Sequence, residues 1–140
     1  MGWDINRFLE KDKIVEELIC PICTDVIKDP VQTNCEHTFC RECITKWLER
    51  GQRTCPEDRE QLSSNDLRRP SRLTTQLLNN LIVRCINYAD GCCLMSKFED
   101  MPRLLEHETN QCQVSQNQRI MELQGIKNKP HIGYVLELKI

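Results

Sequence analysis

Paired metal-binding side chains in the first half of the chain constrain its fold more than any other feature. Eight potential ligands occur in four closely spaced pairs, and eleven residues separate the first and last pairs from the middle group. The eight are Cys20, Cys23, Cys35, His37, Cys40, Cys43, Cys55 and Asp58. Two ligands on one tight turn can hold one ion, so four pairs can hold two ions. Thiolates and imidazoles at these spacings are typical of tetrahedral zinc.

The composition favours a scaffold built on metal rather than on a large apolar core. The chain has 140 residues and ten clustered cysteines, but its aromatic content is only 5%. Small domains without a large core gain stability from metal ions, and a structural zinc supplies roughly 10–16 kcal/mol of apparent binding energy. Cysteines in intracellular chains also bind metal more often than they form disulfides.

Charge and hydropathy argue against several classes of function. The N-terminus is charged where a secretory signal would be apolar, and no apolar run is long enough to span a membrane. We therefore expect an intracellular, cytoplasmic protein, with the nucleus as the alternative. The net charge is −2, with acidic and basic residues mixed, whereas nucleic-acid binding needs a concentrated basic surface. Nucleic-acid binding is thus the least favoured function.

Changes of pattern along the chain divide it into five segments. A lead-in, with Trp3, Phe8 and Leu9 as apolar anchors, is expected to pack on the metal domain. A helical connector follows, whose leucines recur at helical spacing after Pro70 and Ser71. A second cysteine and histidine cluster and a tail of unknown role complete the chain. The five segments are residues 1–17, 18–62, 63–84, 85–112 and 113–140.

Local patterns predict the elements that carry the ligands. Arg41–Arg50 has apolar residues at helical spacing, and Gly51 marks the end of that helix. Val31–Phe39 fits a short hairpin that crosses between two metal sites. In the tail we expect a short helix over Arg119–Leu123 and a strand over 131–140. The predicted fold class is a small zinc-stabilised α+β protein.

The order of the eight ligands resembles that of the RING finger family, over about a third of the chain. In that family the ligand pairs alternate between two zinc ions in a cross-brace. Asp58 departs from the commonest pattern, which ends in cysteine. A carboxylate oxygen is an acceptable but harder zinc ligand, and the alternative is a surface acid with water completing the site. The resemblance implies one site of Cys20, Cys23, Cys40 and Cys43 and another of Cys35, His37, Cys55 and Asp58.

RING domains act as ubiquitin ligases, so the resemblance implies an E3 ubiquitin transferase that holds a ubiquitin-loaded conjugating enzyme beside its substrate. It places Ile22, Trp47 and Pro56 on the surface that grips the conjugating enzyme. It gives Arg59 the role of a cation that hydrogen-bonds both ubiquitin and that enzyme. The alternatives are that Ile22 and Trp47 only cover the zinc loops and that Arg59 is a solvated surface residue.

The second cluster resembles a TRAF-type zinc finger, with a ββα arrangement. In that family a hairpin supplies two cysteines and a helix supplies the histidine, and here the helix would be Pro102–Thr109. Cys92 is favoured over its neighbour Cys93 because Gly91 precedes it, although a swap between the two stays open. The ligands of this third zinc would be Cys85, Cys92, His107 and Cys112.

Together the motifs resemble RING ligases with a TRAF-type finger, and the opening MGWDINRF is similar to that of the neuregulin-receptor-degrading subgroup. The implied cofactor is three zinc ions, and the implied partners are a conjugating enzyme, ubiquitin and a protein substrate. The connector leucines have three interpretations: core packing on the second finger, a rigid spacer, or a homodimer contact. The competing function is a non-catalytic scaffold for protein–protein interaction, which would not need Arg59 or the three apolar residues.

Overall fold

The computed structural model describes residues 2–125. The chain divides into two compact units, with the boundary between Leu81 and Ile82. Both units are built from short helices and two-stranded sheets. None of the helices within the described range has the length and apolar character needed to cross a bilayer. The strand expected over 131–140 lies outside the described residues.

A hairpin and a helix form the centre of the first unit. Strand β1 (Pro30–Gln32) pairs antiparallel with strand β2 (Thr38–Cys40). Helix α1 (Arg41–Glu49) starts directly after β2. Gly51 has a φ of +85°, the left-handed conformation in which glycine commonly ends a helix. The hairpin and the helix predicted from the sequence are thus confirmed.

The buried cluster between the hairpin and α1 contains metal ligands as well as apolar side chains. Four of its nine residues are cysteines. The other five contribute about 1.5–3 kcal/mol each by burial, which is little against the entropy of ordering the unit. The cluster consists of Cys20, Ile27, Val31, Phe39, Cys40, Cys43, Ile44, Cys55 and Leu62. Metal binding must therefore supply a large share of the stability of this unit.

The lead-in packs on the rest of the first unit through backbone pairing and one buried aromatic side chain. The N–H of Trp3 donates to the carbonyl of Val26 at 2.8 Å, and the N–H of Val26 donates back to Trp3 at 3.0 Å. Phe8 is buried, whereas Leu9 is 38% exposed. The expectation that Leu9 is an anchor is wrong, because Phe8 has an extended backbone and successive side chains of an extended chain face opposite sides.

Gly2 lies so close to Asp25 and Val26 that no side chain fits at this position. A Cβ added there would lie 2.5 Å from Cβ of Asp25 and 2.7 Å from the carbonyl oxygen of Val26. We expect Gly2→Ala to destabilise the first unit by about 1–3 kcal/mol, because the lead-in must shift to relieve the overlap. Thermal unfolding measures the effect, with the exposed substitution Gln52→Ala as control. Equal melting temperatures for both variants would contradict this prediction.

Helix α2 (Arg72–Asn79) forms the connector, in the first unit. The hydroxyl of Ser71 accepts a hydrogen bond from the N–H of Thr74 at 3.1 Å, which is the side-chain cap expected at a helix start. The predicted start of the connector helix is thus confirmed. Its apolar spacing continues to Ile82, but that residue begins a strand, because a β-branched run suits a strand better than a helix.

The leucines of α2 divide between a buried and an exposed face. The helix contacts the Glu16–Leu18 turn of the lead-in, and Leu78 is buried. Leu73 and Leu77 are 64% and 41% exposed. The structure therefore gives α2 a packing partner within the first unit, and core packing on the second finger stays a prediction. The homodimer contact of the connector stays a prediction as well.

The second unit follows the order strand, strand, helix. Strand β3 (Ile82–Arg84) pairs antiparallel with β4 (Met95–Lys97). Helix α3 (Met101–Glu106) follows and continues as a single π-helical turn over His107–Gln111. Helix α4 (Gln113–Leu123) completes the described part of this unit. The second unit is thus a small two-stranded sheet with helices placed after it in the chain.

Two helices of the second unit differ in length from their predictions. The helix predicted over Pro102–Thr109 exists, but its second half has π geometry. The helix predicted over Arg119–Leu123 begins earlier, at Gln113. Its first turns are mostly polar and rich in glutamine, so apolar spacing could not reveal them.

Candidate metal centres and partner-binding surface

Four cysteines from separate parts of the first unit converge on site 1. Cys20 and Cys23 lie on a turn after the lead-in. Cys40 ends β2, and Cys43 lies in the first turn of α1. The four sulfur atoms lie within 4.8 Å of one another, and those of Cys23 and Cys40 are 3.9 Å apart. Tetrahedral zinc places two sulfurs about 3.8 Å apart, so this set fits zinc.

Site 2 draws its ligands from the hairpin turn and from a turn after α1. The ligand atoms of Cys35, His37, Cys55 and Asp58 lie within 4.8 Å of one another. Nδ1 of His37 is 3.6 Å from Sγ of Cys55 and 3.3 Å from Oδ2 of Asp58. Zinc bonds at tetrahedral angles give about 3.5 Å and 3.4 Å for these separations. The mixed ligand set therefore fits zinc as well.

The chain supplies ligands to the two sites in alternation. The first and third pairs form site 1, and the second and fourth pairs form site 2. This is the cross-brace that the RING resemblance implies. Cys23 and Cys40 are 17 positions apart in the chain, and His37 and Cys55 are 18 apart. Each ion thus closes a long loop, which a chain without metal would close only at an entropic cost.

The turns that begin at Cys20 and Cys55 repeat one backbone conformation. The carbonyl of Cys20 accepts from the N–H of Thr24 at 2.7 Å, and that of Cys55 accepts from the N–H of Arg59 at 2.9 Å. Thr24 and Arg59 have φ values of 61° and 62°. Both turns begin with Cys-Pro. Asp58 therefore takes the place that the second cysteine has in the first turn.

The carboxylate of Asp58 is oriented by its own turn. The N–H of Glu60 donates to Oδ1 at 3.0 Å, and this bond lowers the pKa of Asp58 below its ordinary value. The other oxygen, Oδ2, faces His37. One oxygen thus serves the turn while the other is directed into site 2, which supports the role of Asp58 as a ligand.

The thiols of site 1 cannot all ionise unless a cation compensates their charge. The hydrogen bond from the Cys40 thiol lowers the pKa of Cys20 to about 4. The same pairing raises the pKa of Cys40, and burial raises the pKa of Cys43 to about 12. A divalent metal removes this mutual penalty and allows every ligand to be a thiolate. The donor set therefore has the chemistry of a metal centre.

Site 3 lies within the second unit. Its ligand atoms, from Cys85, Cys92, His107 and Cys112, lie within 4.8 Å of one another. The sulfurs of Cys85 and Cys112 are 3.9 Å apart, and Sγ of Cys92 is 3.4 Å from Nε2 of His107. Both separations match tetrahedral zinc, for which about 3.8 Å and 3.5 Å are expected. The structure thus brings the predicted ligands of the third zinc together.

The adjacent cysteines of the second unit differ in their surroundings. Cys92 is half-buried at site 3, whereas Cys93 is exposed and its thiol faces the carbonyl of Gly91 at 3.7 Å. Gly91 has a φ of +112°, a conformation that suits glycine. The structure therefore places Cys92 rather than Cys93 among the ligands.

The residues predicted to grip a conjugating enzyme lie on three parts of the first unit. Ile22 is in the first ligand turn, Trp47 is on α1 and Pro56 is in the second ligand turn. All three are half-buried, and Ile22 and Trp47 pack against the buried cluster. The indole N–H of Trp47 donates to the carbonyl of Thr54 at 2.8 Å, which fixes the ring. Ile22 and Trp47 therefore cover the core and also keep an accessible face.

Arg59 is exposed and directly follows the last ligand. Its left-handed backbone is held by the hydrogen bond from its own N–H to Cys55. The side chain thus extends from a fixed backbone position. Its own rotatable bonds remain free, so the guanidinium can adjust to a partner. Such a guanidinium offers several donors to an incoming partner.

Two side chains beside the metal sites have no motif that would reveal them. Thr33 is fully buried next to Cys35 and His37. Asn87 is buried and donates to Sγ of Cys112 at 3.4 Å and to the hydroxyl of Ser115 at 2.6 Å. Threonine and asparagine are common in strands and turns for other reasons. Only their position near a ligand in space shows that they support the metal sites.

Comparison with known proteins agrees with this geometry. Relatives include the E3 ubiquitin-protein ligase NRDP1 of Homo sapiens, 39% identical over 102 residues that cover 72% of this chain and 31% of the relative. RING finger protein 151 of Bos taurus is 34% identical over 91 residues, 65% of this chain and 36% of that protein. E3 ubiquitin-protein ligase PDZRN3 of Mus musculus is 33% identical over 107 residues, 76% of this chain and 10% of that protein.

The chain spans about a third of the length of the NRDP1 relatives that it matches. Residues 20–57 match the family described as zinc finger, C3HC4 type (RING finger). The match ends one residue before Asp58 and includes the other seven ligands of sites 1 and 2. Because these ligands also alternate between two sites, residues 20–57 of this chain belong to the RING finger family.

Proposed function

We propose that this chain is a RING-type E3 ubiquitin ligase, which binds a ubiquitin-loaded conjugating enzyme and promotes transfer of ubiquitin to substrate lysines. The observation that carries the proposal is the cross-braced pair of metal centres in a chain 39% identical to the E3 ubiquitin-protein ligase NRDP1. The metal centres hold two rigid turns, and the proposed contact residues lie on those turns and on the helix between them.

The proposed surface for the conjugating enzyme consists of Ile22, Trp47 and Pro56. Its support is that all three residues are half-buried, so each has an apolar face that a partner can cover. Trp47 also has its ring fixed by a hydrogen bond to Thr54. A fixed aromatic loses little side-chain entropy on binding, and aromatic residues commonly anchor interfaces.

The proposed contribution to the reaction is positioning. The substrate amine attacks the carbonyl carbon of the ubiquitin thioester, an amide bond forms, and the thiol of the conjugating enzyme leaves. Restricting the flexible thioester to a reactive pose raises the rate without a bond to the ligase. Arg59 would hydrogen-bond ubiquitin and the conjugating enzyme together, because its planar fork can reach two acceptors at once.

Cysteine usage supports a mechanism without a covalent ligase intermediate. Nine of the ten cysteines belong to the three metal clusters. A thiolate bound to zinc is not free to accept ubiquitin. The remaining one, Cys93, lies in the second unit, and its thiol faces the carbonyl oxygen of Gly91.

We further propose that the second unit is a TRAF-type finger and that the chain binds three zinc ions. Support comes from the order of strand, strand and helix, with His107 supplied from the helical segment. Thiolate ligands remain reduced and metal-bound in the reducing interior of a cell. We therefore propose a cytoplasmic location, in which the partners would be a conjugating enzyme, ubiquitin and a substrate.

Reconstitution tests the ligase proposal. The chain is mixed with ubiquitin, activating enzyme, ATP and a panel of conjugating enzymes, and chain formation is followed on denaturing gels. We expect activity with at least one member, reduced by Ile22→Ala, with Ile86→Ala on the second unit as the matched control. No activity in a sample shown to carry its metal would favour the scaffold function. Packing of Ile22 and Trp47 on the core is compatible with that alternative.

Metal content tests the proposed zinc sites. We expect three zinc ions per chain by elemental analysis, and two after Asp58→Ala, because a three-ligand site loses affinity. Asp58→Cys should retain three ions and bind the second more tightly, since thiolate is the softer ligand. Glu57→Ala, at the exposed preceding position, is the control. Three ions in Asp58→Ala would mean that water or another group completes site 2.

A further inference from the structure

Thr33 is buried at the base of the turn that presents two ligands of site 2. Its side chain is 0% exposed. Its N–H donates to the carbonyl of His37 at 2.9 Å, and its own carbonyl accepts from the N–H of Glu36 at 3.0 Å. The turn between β1 and β2 therefore closes on Thr33, with Cys35 and His37 on the closed loop.

The hydroxyl of Thr33 lies between these two ligands. It accepts a hydrogen bond from the N–H of His37, with 3.1 Å between nitrogen and oxygen. It is also 3.0 Å from Sγ of Cys35 and 3.3 Å from the carbonyl oxygen of His37. A hydroxyl has one proton to donate, so it can serve only one of these two acceptors well.

The sulfur is the better acceptor for that proton. The carbonyl of His37 already accepts from the N–H of Thr33 at 2.9 Å. The thiolate of Cys35 carries negative charge, and hydrogen bonds to charged acceptors are stronger than those to neutral ones. The contact to sulfur is also the shorter of the two. The proton of Thr33 is therefore directed toward Cys35.

We infer that Thr33 is a positioning residue for site 2, whose buried hydroxyl donates to the thiolate of Cys35 and accepts from the backbone of His37. One side chain thus orients two of the four ligands. The inference rests on metal binding at site 2 and not on ligase activity. It adds to the proposed function a residue that fixes the turn between β1 and β2, which carries two ligands of site 2.

Site 2 has particular need of such support. The side chains of His37 and Asp58 are 37% and 32% exposed, so water can reach this site more easily than a fully buried one. Two thiolates and one carboxylate also give the zinc-loaded site a net charge of about −1. A hydrogen bond donated to one of the sulfurs stabilises this negative charge. Removing a group that orients a metal ligand typically costs roughly 10–100-fold in metal affinity.

Zinc release to an excess of a chromogenic chelator tests the inference. Thr33→Val keeps the shape of the side chain but removes the hydroxyl, whereas Thr33→Ser keeps the hydroxyl and removes the methyl group. We expect one ion per chain to leave about 10–100-fold faster in Thr33→Val, with the other ions unaffected. Thr33→Ser should stay close to the unmodified protein. Thr45→Val, an exposed threonine on α1, is the matched control.

Equal release from Thr33→Val and the unmodified protein would overturn the inference. So would equally fast release from Thr33→Ser and Thr33→Val, because the methyl group and not the hydroxyl would then matter. If site 2 of the unmodified protein binds no ion, the premise of the inference fails, and that result is separate from any ubiquitin assay.

A measurement on the unmodified protein covers the case in which Thr33→Val does not fold. With ¹¹³Cd in place of zinc, a proton hydrogen-bonded to a metal thiolate shows a scalar coupling to the metal. We expect one such coupling from the hydroxyl of Thr33 through Cys35. The N–H of Lys28, which donates to Sγ of Cys40 at 3.2 Å, is the internal control. Coupling at Lys28 without coupling at Thr33 would reject the inference.

Discussion

Cys40→Ser is expected to unfold the whole first unit and to release both of its metal ions, although it removes one ligand of site 1 only. A structural zinc contributes roughly 10–16 kcal/mol of apparent free energy, and the net stability of a domain is about 5–15 kcal/mol. Three of the four ligands of site 1, but only Cys55 of site 2, belong to the buried cluster, so the first unit depends on site 1 more than on site 2. Cys40 is also the last residue of β2, and the residue before this strand is His37, a ligand of site 2.

Two measurements together identify this collapse. Elemental analysis should fall from three ions to one, and amide NMR signals of the first unit should collapse to the unfolded range, whereas those of the second unit persist. Cys93→Ser makes the same chemical change at an exposed cysteine outside the clusters and should retain three ions and all signals. Retention of site 2 in Cys40→Ser would contradict the dependence of site 2 on site 1.

Ligand spacing made the metal framework predictable from sequence. Two ligands on one tight turn lie close enough together to bind the same ion. Spacing also located α1, since the apolar residues Ile44, Trp47 and Leu48 recur on one helical face. The pairing of distant turns needed more than spacing: it came from the resemblance to the RING family, and the four ligand atoms of each site now lie together.

Features that depend on packing in space were not predictable. Gly2 has no room for a side chain because Asp25 and Val26 lie against it. No local sequence pattern indicates that these two parts of the chain meet. The role of Thr33 depends on a turn that brings its hydroxyl to Cys35. Helix α2 packs on the lead-in, yet its leucine spacing would suit any apolar partner. Local rules identify which face of an element is apolar, but not what covers it.

Arg59→Ala is expected to slow discharge of ubiquitin from the conjugating enzyme roughly 10–100-fold, with little change in binding of that enzyme. Hydrogen bonds made by a charged donor contribute about 1.5–3 kcal/mol, and each 1.36 kcal/mol of lost transition-state stabilisation is about tenfold in rate. The proposed bonds of Arg59 form only when ubiquitin lies against the conjugating enzyme, so their loss affects the rate and not the first binding step.

The fold should not respond to this substitution. Alanine, like arginine, has a Cβ, so the modest free-energy cost of the left-handed backbone at position 59 is the same in both proteins. The hydrogen bond from that residue to Cys55 is made by the backbone and survives.

Single-turnover discharge to free lysine measures the rate, and titration of the conjugating enzyme measures binding. Arg69→Ala, an exposed arginine of the same unit, is the matched control. If Arg59→Ala binds the conjugating enzyme normally and discharges at the rate of Arg69→Ala, the guanidinium at position 59 has no part in the reaction. A matching loss of binding instead would place Arg59 in the docking surface beside Pro56. The rate and the affinity, taken together, therefore decide which of the two roles this exposed side chain has.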